Sequence, residues 1–274
     1  MAITAVTVAP GPARLAELHA RSLPQKDNLC GCFWAALVLQ AAGVEEVGGE
    51  PLDEDLVASR AGTLLPEGDA RDFVPRGAES RADYRLALPP APPGVASGTS
   101  APALARTIEE LSEGELAVVP VAGSWSPEQV LGLIAATAEA APAATLVVNL
   151  RSGRLWGSRP PAATLLAHLA GVRVDPPAPE WDVGHFVTAP ATVLGRSGSL
   201  VVVRDTYPSL GWGGYHLQPP EALAAGLERG DGREGGVLCV ARVDEAERLR
   251  RRLAGEGFEL RHWNNGTPDP GKER

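Results

Sequence analysis

The sequence predicts an α+β fold, and three observations carry that reading. The apolar run at 30–42, CGCFWAALVLQAA, is alanine-rich and longer than an ordinary buried strand, so it reads as a helix. Short β-branched runs recur further on, at 116–121 (LAVVPV), 145–150 (TLVVNL), 183–194 (VGHFVTAPATVL) and 199–205 (SLVVVRD). Helical stretches fall between these runs without the strict alternation of a βαβ fold. A chain of 274 residues can bury a sizeable core.

Taken in order, residues 1–24 hold one amphipathic stretch, PARLAELHARSL, which is expected to be helical. The helix at 30–42 is apolar on every side, which puts it in the middle of the domain, and Gly43 ends it. Residues 44–101 are acidic, then loop-like, then proline-rich up to LPPAPPGVASGTSAP, and read as an irregular insertion followed by a linker. A helix is expected at 102–113. Ser126 opens another, with Pro127 at the first helical position and Gln129 completing a capping box. After a helix near 162–170 and a second proline cluster, the loop GRSGS joins the strands at 183–194 and 199–205 as a hairpin. PEALAAGLERG (helix), GVLCVAR (strand) and DEAERLRRRLAGEG (charged, solvated helix) follow, and the tail at 266–274 is expected to be disordered. The whole is expected to be one domain over 1–265 with an insertion at about 44–180, in which 102–171 is either part of one enlarged domain or a substrate-selecting insertion.

Composition narrows the function. Hydrophobic residues make up 44% of the chain, yet no uninterrupted apolar run reaches membrane-spanning length, so no membrane association is expected. The start, MAITAVTVAPGPARL, lacks the basic residues and long apolar stretch of a secretory signal. A net charge of −9 argues against a nucleic-acid partner. A cytoplasmic protein is the expectation. Three cysteines cannot build a disulfide framework, and five scattered histidines show no ligand spacing, so neither a metal nor another cofactor is expected.

The chemistry concentrates where polar loop becomes apolar helix. Cys30 and Cys32 both sit at the head of the 30–42 helix, where exposed amides and the dipole stabilise a thiolate, with Gly31 allowing close backbone approach. Gln25, just upstream, is a neutral donor able to hydrogen-bond an oxyanion. His185 opens an apolar strand beside Gly184, and Asp205 ends the next strand, where it can hold the imidazole tautomer. Asn149 and Asp182 are further candidates to orient a histidine; His216 reads as entering a loop. Trp212 and Tyr215, in the turn GWGGY, are candidates to line a substrate cleft or equally to cover the core, and Trp181 offers the same two readings, leaning structural.

In this order the residues resemble the papain-like cysteine peptidases, and more narrowly the bacteriocin-processing (double-glycine leader) peptidases and their stand-alone relatives. The first block is Gln25, Asp27, Cys30-Gly31, Val38-Leu39 and Gly43; the second is GHFV at 184–187 followed by VVVRDTYPSLGWGGY at 201–215. The resemblance implies a papain-like fold with its central N-terminal helix packed on an antiparallel sheet. It also implies Cys30 as nucleophile, His185 as base, Asp205 as its orienter and Gln25 as oxyanion donor. The expected activity is that of a thiol protease cleaving a peptide or precursor protein through an acyl-enzyme. Transglutaminase-like acyl transfer or deamidation, or peptide binding without catalysis, are the alternatives on the same fold.

The match has departures. Gln25 stands one residue closer to the cysteine than in that family, and Thr206 stands where a proline is usual. The motif GCFW would also allow Cys32 as the nucleophile; Gly43 and the Val38-Leu39 pair favour Cys30. A plain hairpin would set His185 several residues past Asp205, so the triad requires either a bulge at Ala189–Pro190 or a wider loop.

Overall fold

A computed structural model of the chain describes residues 3–8 and 11–271. In chain order the elements are β1 (Ile3–Val8), α1 (Ala13–Arg21), α2 (Cys30–Ala41), β2 (Glu46–Val47), β3 (Glu50–Pro51), α3 (Glu54–Ala61), α4 (Ala101–Leu111) and β4 (Leu116–Val121). There follow α5 (Pro127–Ala140), β5 (Thr145–Arg151), α6 (Ala162–Leu169), β6 (Gly184–Gly195), β7 (Ser199–Arg204), β8 (Tyr215–Gln218), α7 (Pro220–Glu228), β9 (Gly236–Arg242) and α8 (Val243–Gly255). The class is α+β. One seven-stranded sheet runs β4-β9-β5-β6-β7-β8 with β1 added alongside β6, and its pairings are antiparallel.

Both faces of the sheet are covered, which is why its strands read as continuous apolar runs rather than alternating ones. On one face Val147, Phe186, Leu238 and Val240 pack against α2, α3 and α4. On the other, Val148, Val187, Val203 and Val237 pack against α5, α7 and α8. Helix α2 is buried from Gly31 to Leu39, as its uniform hydrophobicity requires. Trp34 Nε1 donates to the carbonyl of Phe186 at 3.2 Å, tying α2 to β6. A Cβ on Gly31 would come within 3.1 Å of both Leu104 and Phe186, so glycine is what lets the head of α2 lie flush on the sheet.

The structure decides some of these expectations. Of the two readings of 102–171 the sheet supports the enlarged domain: the stretch supplies β4 and β5, and β5 lies between β9 and β6. Antiparallel pairing joins segments remote in sequence, so no local signal marks that role. Residues 44–101 contain α3, whose N-cap Asp53 accepts from the Leu56 amide, and Tyr84, Leu86 and Leu88 pack onto the α2 cluster. This stretch is not a linker. The tail is pinned as far as Gly271: Thr267 Oγ1 donates to the carbonyl of Ser97 at 3.0 Å, and Asp269 pairs with Arg106. Residues 272–274 lie outside the described residues. Strands β1 and β8 had no counterpart in the sequence reading.

Candidate active site

Two neighbouring elements bring the reactive groups together. Cys30 is the first residue of α2, and His185 is the second residue of β6, onto which α2 packs. The register Leu150↔His185 holds the histidine backbone against β5, where Asn149 Nδ2 donates to its carbonyl at 3.3 Å. The Cys30 side chain acts on the His185 ring strongly enough to raise its pKa, both line the same cavity, and His185 Nε2 lies 3.2 Å from Asp205 Oδ1. With Nε2 committed to the carboxylate, Nδ1 is the nitrogen left for the thiol.

A bulge lies at the expected place, though it closes only one residue of the offset. Ala191 pairs with Val202 and Thr188 with Arg204, so the β6–β7 register slips by one residue at Ala189–Pro190. Strand β7 then stops at Arg204, and Asp205 turns off it with its carboxylate against the imidazole. Its backbone is fixed from both sides: the amide donates to the carbonyl of Gly214 at 2.7 Å, and His19 Nε2 meets its carbonyl at 2.7 Å.

The electrostatics follow from burial and pairing. Burial alone would lower the His185 pKa, but the Asp205 charge and hydrogen bond, with the Cys30 side chain, raise it to about 10. Burial would raise the pKa of Asp205. The charge and hydrogen bond of His185, then those of His216, hold it well below the ordinary carboxylate range instead. Asp205 Oδ1 also accepts from the Tyr207 amide at 3.1 Å, so the buried carboxylate is not left unpaired.

Behind it stands a second histidine. His216 is buried in β8 rather than entering a loop, with Nε2 3.6 Å from Asp205 Oδ2. Gln218 Nε2 donates to its Nδ1 at 2.9 Å, and Trp156 fixes the orientation of the Gln218 amide by donating its own amide to Oε1. The Gln218 contact holds the His216 ring with its Nε2 turned toward the carboxylate.

Gln25 is buried beside the same residues. Its backbone N–H donates to the carbonyl of Thr206 at 3.3 Å, and Thr206 Oγ1 donates to its Oε1 at 2.6 Å. Thr206, the residue after Asp205, thereby ties Gln25 to the end of β7. Gln25 Nε2 uses one hydrogen on the carbonyl of Lys26, leaving the second for the cavity that Gln25 lines. Asp27 has a structural role: it accepts from Ser80 and from the Arg81 amide, while Tyr84 Oη donates to its carbonyl. Asn28 takes a left-handed φ of 66° and so turns the chain into α2, its Nδ2 donating to the carbonyl of Leu64.

These groups open on a cavity of about 430 Å³ lined by Gln25, Asn28, Cys30, Trp181, His185 and Arg229, among others. Cys30 is half-buried, whereas Cys32 is sealed beneath α2. Cys32 lies 3.3 Å from Thr63 Oγ1 and 3.2 Å from Thr99 Oγ1, and burial pushes its thiol pKa up to about 12. That environment does not suit a nucleophile. Trp212 and Tyr215 also miss the cavity: Trp212 is exposed, and Tyr215 lies edge-on to His19 and under Arg204. The glycine-rich turn serves instead to back Asp205, since a Cβ on Gly214 would reach the Asp205 carbonyl at 3.0 Å.

Trp181, leaning structural in the sequence reading, lines the cavity and packs on the imidazole at a centroid distance of 4.9 Å. Asp182 is taken up by Arg151 in a two-pronged ion pair rather than by His185. Among the described residues no cluster of three histidine, cysteine or acidic side chains is arranged to hold a metal ion.

A family model described as "Family of unknown function (DUF6885)" matches residues 9–264. The chain belongs to that family. The matched span includes Gln25, Cys30, His185 and Asp205, so the candidate site lies inside what the family model describes. No curated protein matches the chain. No helix among the described residues is long and apolar enough to cross a membrane.

Proposed function

We propose that the chain is a cysteine peptidase of papain-like type, cleaving a peptide or precursor protein through an acyl-enzyme on Cys30. The observation that carries this reading is the grouping of three residues: a half-buried thiol at the open end of a buried helix, an imidazole on the same cavity whose pKa that thiol raises, and a buried carboxylate on the imidazole Nε2. A cysteine-headed helix packed on an antiparallel sheet supports the finer fold assignment. The free cysteines fit a reducing cytoplasm, where such a thiol stays active.

The proton of Cys30 passes to His185 Nδ1, and the thiolate attacks the scissile carbonyl carbon. The developing oxyanion accepts from the free hydrogen of Gln25 Nε2 and from the Cys30 amide at the head of α2. His185 then gives its proton to the departing amine, and the carbonyl re-forms as a thioester. Water attacks that thioester while His185 takes its proton, releasing the acid and the thiol. Asp205 keeps the ring in the orientation both transfers need.

The test is alkylation with iodoacetamide between pH 5 and 9, with the labelled residue mapped by mass spectrometry. Cys30 should react well below pH 7, and the His185→Ala variant should lose that reactivity. Cys32 and Cys239 should stay unlabelled until the protein unfolds. A Cys30 that reacts no faster than a free thiol below pH 7, or is indifferent to His185→Ala, overturns the reading.

A further inference from the structure

One charged side chain at the cavity has no part in the steps above. Arg229 lines it, yet is only 2% exposed. It follows α7 with φ 59° and ψ −55°, the strained centre of a γ-turn in which the Gly230 amide donates to the Glu228 carbonyl at 2.6 Å. Nε and Nη2 bind Asp231 at 3.2 and 3.0 Å, whereas Nη1 has no hydrogen-bond partner among the described residues. The guanidinium lies against Gly184, the residue before His185: a Cβ there would meet Nη1 and Nη2 at 3.1 Å. Glycine at 184 thus leaves the room that the guanidinium occupies beside the residue preceding His185. A second guanidinium, Arg233, also lines the cavity and has no ion-pair partner among the described residues.

We infer that Arg229 is a subsite for a carboxylate on the substrate, so that the site selects peptides carrying a negative charge next to the bond it cleaves. This rests on Cys30 being the reactive thiol of the proposed function. A planar guanidinium with two fixed bonds to Asp231 is held rigid, and its remaining edge offers N–H donors to an incoming anion. Burial raises the strength of such a contact above that of a surface pair. The carboxylate has two possible sources, an acidic side chain or the free C-terminus of a peptide.

Two alkylating agents of equal size and opposite character make the test. Iodoacetate and iodoacetamide each lose iodide to Cys30 Sγ, and only the first carries a carboxylate. In the unaltered chain, the ratio of their rates at Cys30 should exceed the ratio on glutathione. His185 contributes to that preference, so the comparison that isolates Arg229 is R229Q, where the ratio should fall roughly tenfold. R229K keeps the charge without the fork and should lie between. A ratio unchanged in R229Q overturns the subsite while leaving the peptidase reading intact, whereas slow reaction of Cys30 with both agents overturns that reading itself.

Should R229Q fail to fold, protection of the unaltered chain decides. N-acetylglutamate α-amide offers only a side-chain carboxylate, N-acetylglutamine only a terminal one, and N-acetylglutamine amide neither. One acid should slow iodoacetamide labelling of Cys30 severalfold at a concentration where the neutral compound does not, and which acid does so identifies the source. Equal protection by all three, or by none, contradicts the inference.

Discussion

Helices α2 and α5 begin in opposite ways. At α5, Ser126 Oγ accepts from the Gln129 amide at 3.2 Å, and Gln129 Oε1 accepts from the Ser126 amide at 2.9 Å, so the first turn is chemically closed. At α2, the N-cap is Leu29, no side chain caps the first turn, and the opening residue is a thiol beside a cavity. Other helices here also lack side-chain caps. What sets α2 apart is that its open end faces Cys30, Gln25 and the cavity together. Unsatisfied amides at a helix start cost stability unless something anionic arrives, and at α2 the thiolate and the oxyanion of the proposed reaction would be those anions.

The largest expected effect removes the partner of the open end. His185→Ala should slow alkylation of Cys30 at pH 6 by about 10²-fold or more, because no imidazolium is left to hold the thiolate. Asp205→Asn should do so to a lesser degree, since Asn can still hold the ring but not stabilise its charge. Both are read as second-order labelling rates.

The same pair ties stability to pH. His185 is raised in the folded chain to about 10 from an ordinary value of about 6.5, so its contribution is complete below about pH 6.5 and lost as pH rises toward 10. Asp205 is depressed, so its contribution is present above about pH 4 and lost as the pH falls through its folded value. Urea midpoints measured from pH 7 to 10 should therefore decline more steeply in the unaltered protein than in His185→Gln. Parallel curves would contradict the pairing.

The closed helix start should respond in stability alone. Ser126→Ala should cost ~1 kcal/mol, a shift in Tm of about 2–4 °C, and leave the Cys30 labelling rate unchanged. The smallest effect is expected for Cys32→Ala, which removes one sulfur from between Thr63 and Thr99 at a cost of ~1 kcal/mol or less. Cys30 should label as before, and altered labelling would mean that the two thiols are coupled.

The head of α2 was legible in the sequence because its signals are local: an unbroken apolar run, two cysteines and a terminal glycine. The capping box at Ser126 was legible for the same reason. Counting residues along a hairpin called for either a bulge at Ala189–Pro190 or a wider loop; the register slips there by one residue, and the end of β7 at Arg204 supplies the rest. Strand β5 was read as a strand but assigned to an insertion, since its place beside β6 is set by pairing across about 35 residues. Strand β1 escaped notice because its side chains are mostly exposed, and the four-residue β8 was too short to show a period. Trp212 and Tyr215 lay close to Asp205 in sequence, but the left-handed glycines at 211, 213 and 214 fold that turn behind the carboxylate, away from the cavity. Arg229 carried no signal: an arginine after a helix and before GDGREGG looks like ordinary solvated loop until the fold buries it against Gly184.

Nitrogen-15 NMR of the His185 ring, followed from pH 6 to 10 in the unaltered protein and in Cys30→Ala, reads the thiol–imidazole–carboxylate grouping directly. Both ring nitrogens should remain protonated at pH 8 in the unaltered protein, and deprotonation should move to lower pH once the sulfur is removed. A His185 ring already neutral at pH 8, with a titration indifferent to Cys30→Ala, would contradict the pairing on which the proposed chemistry stands.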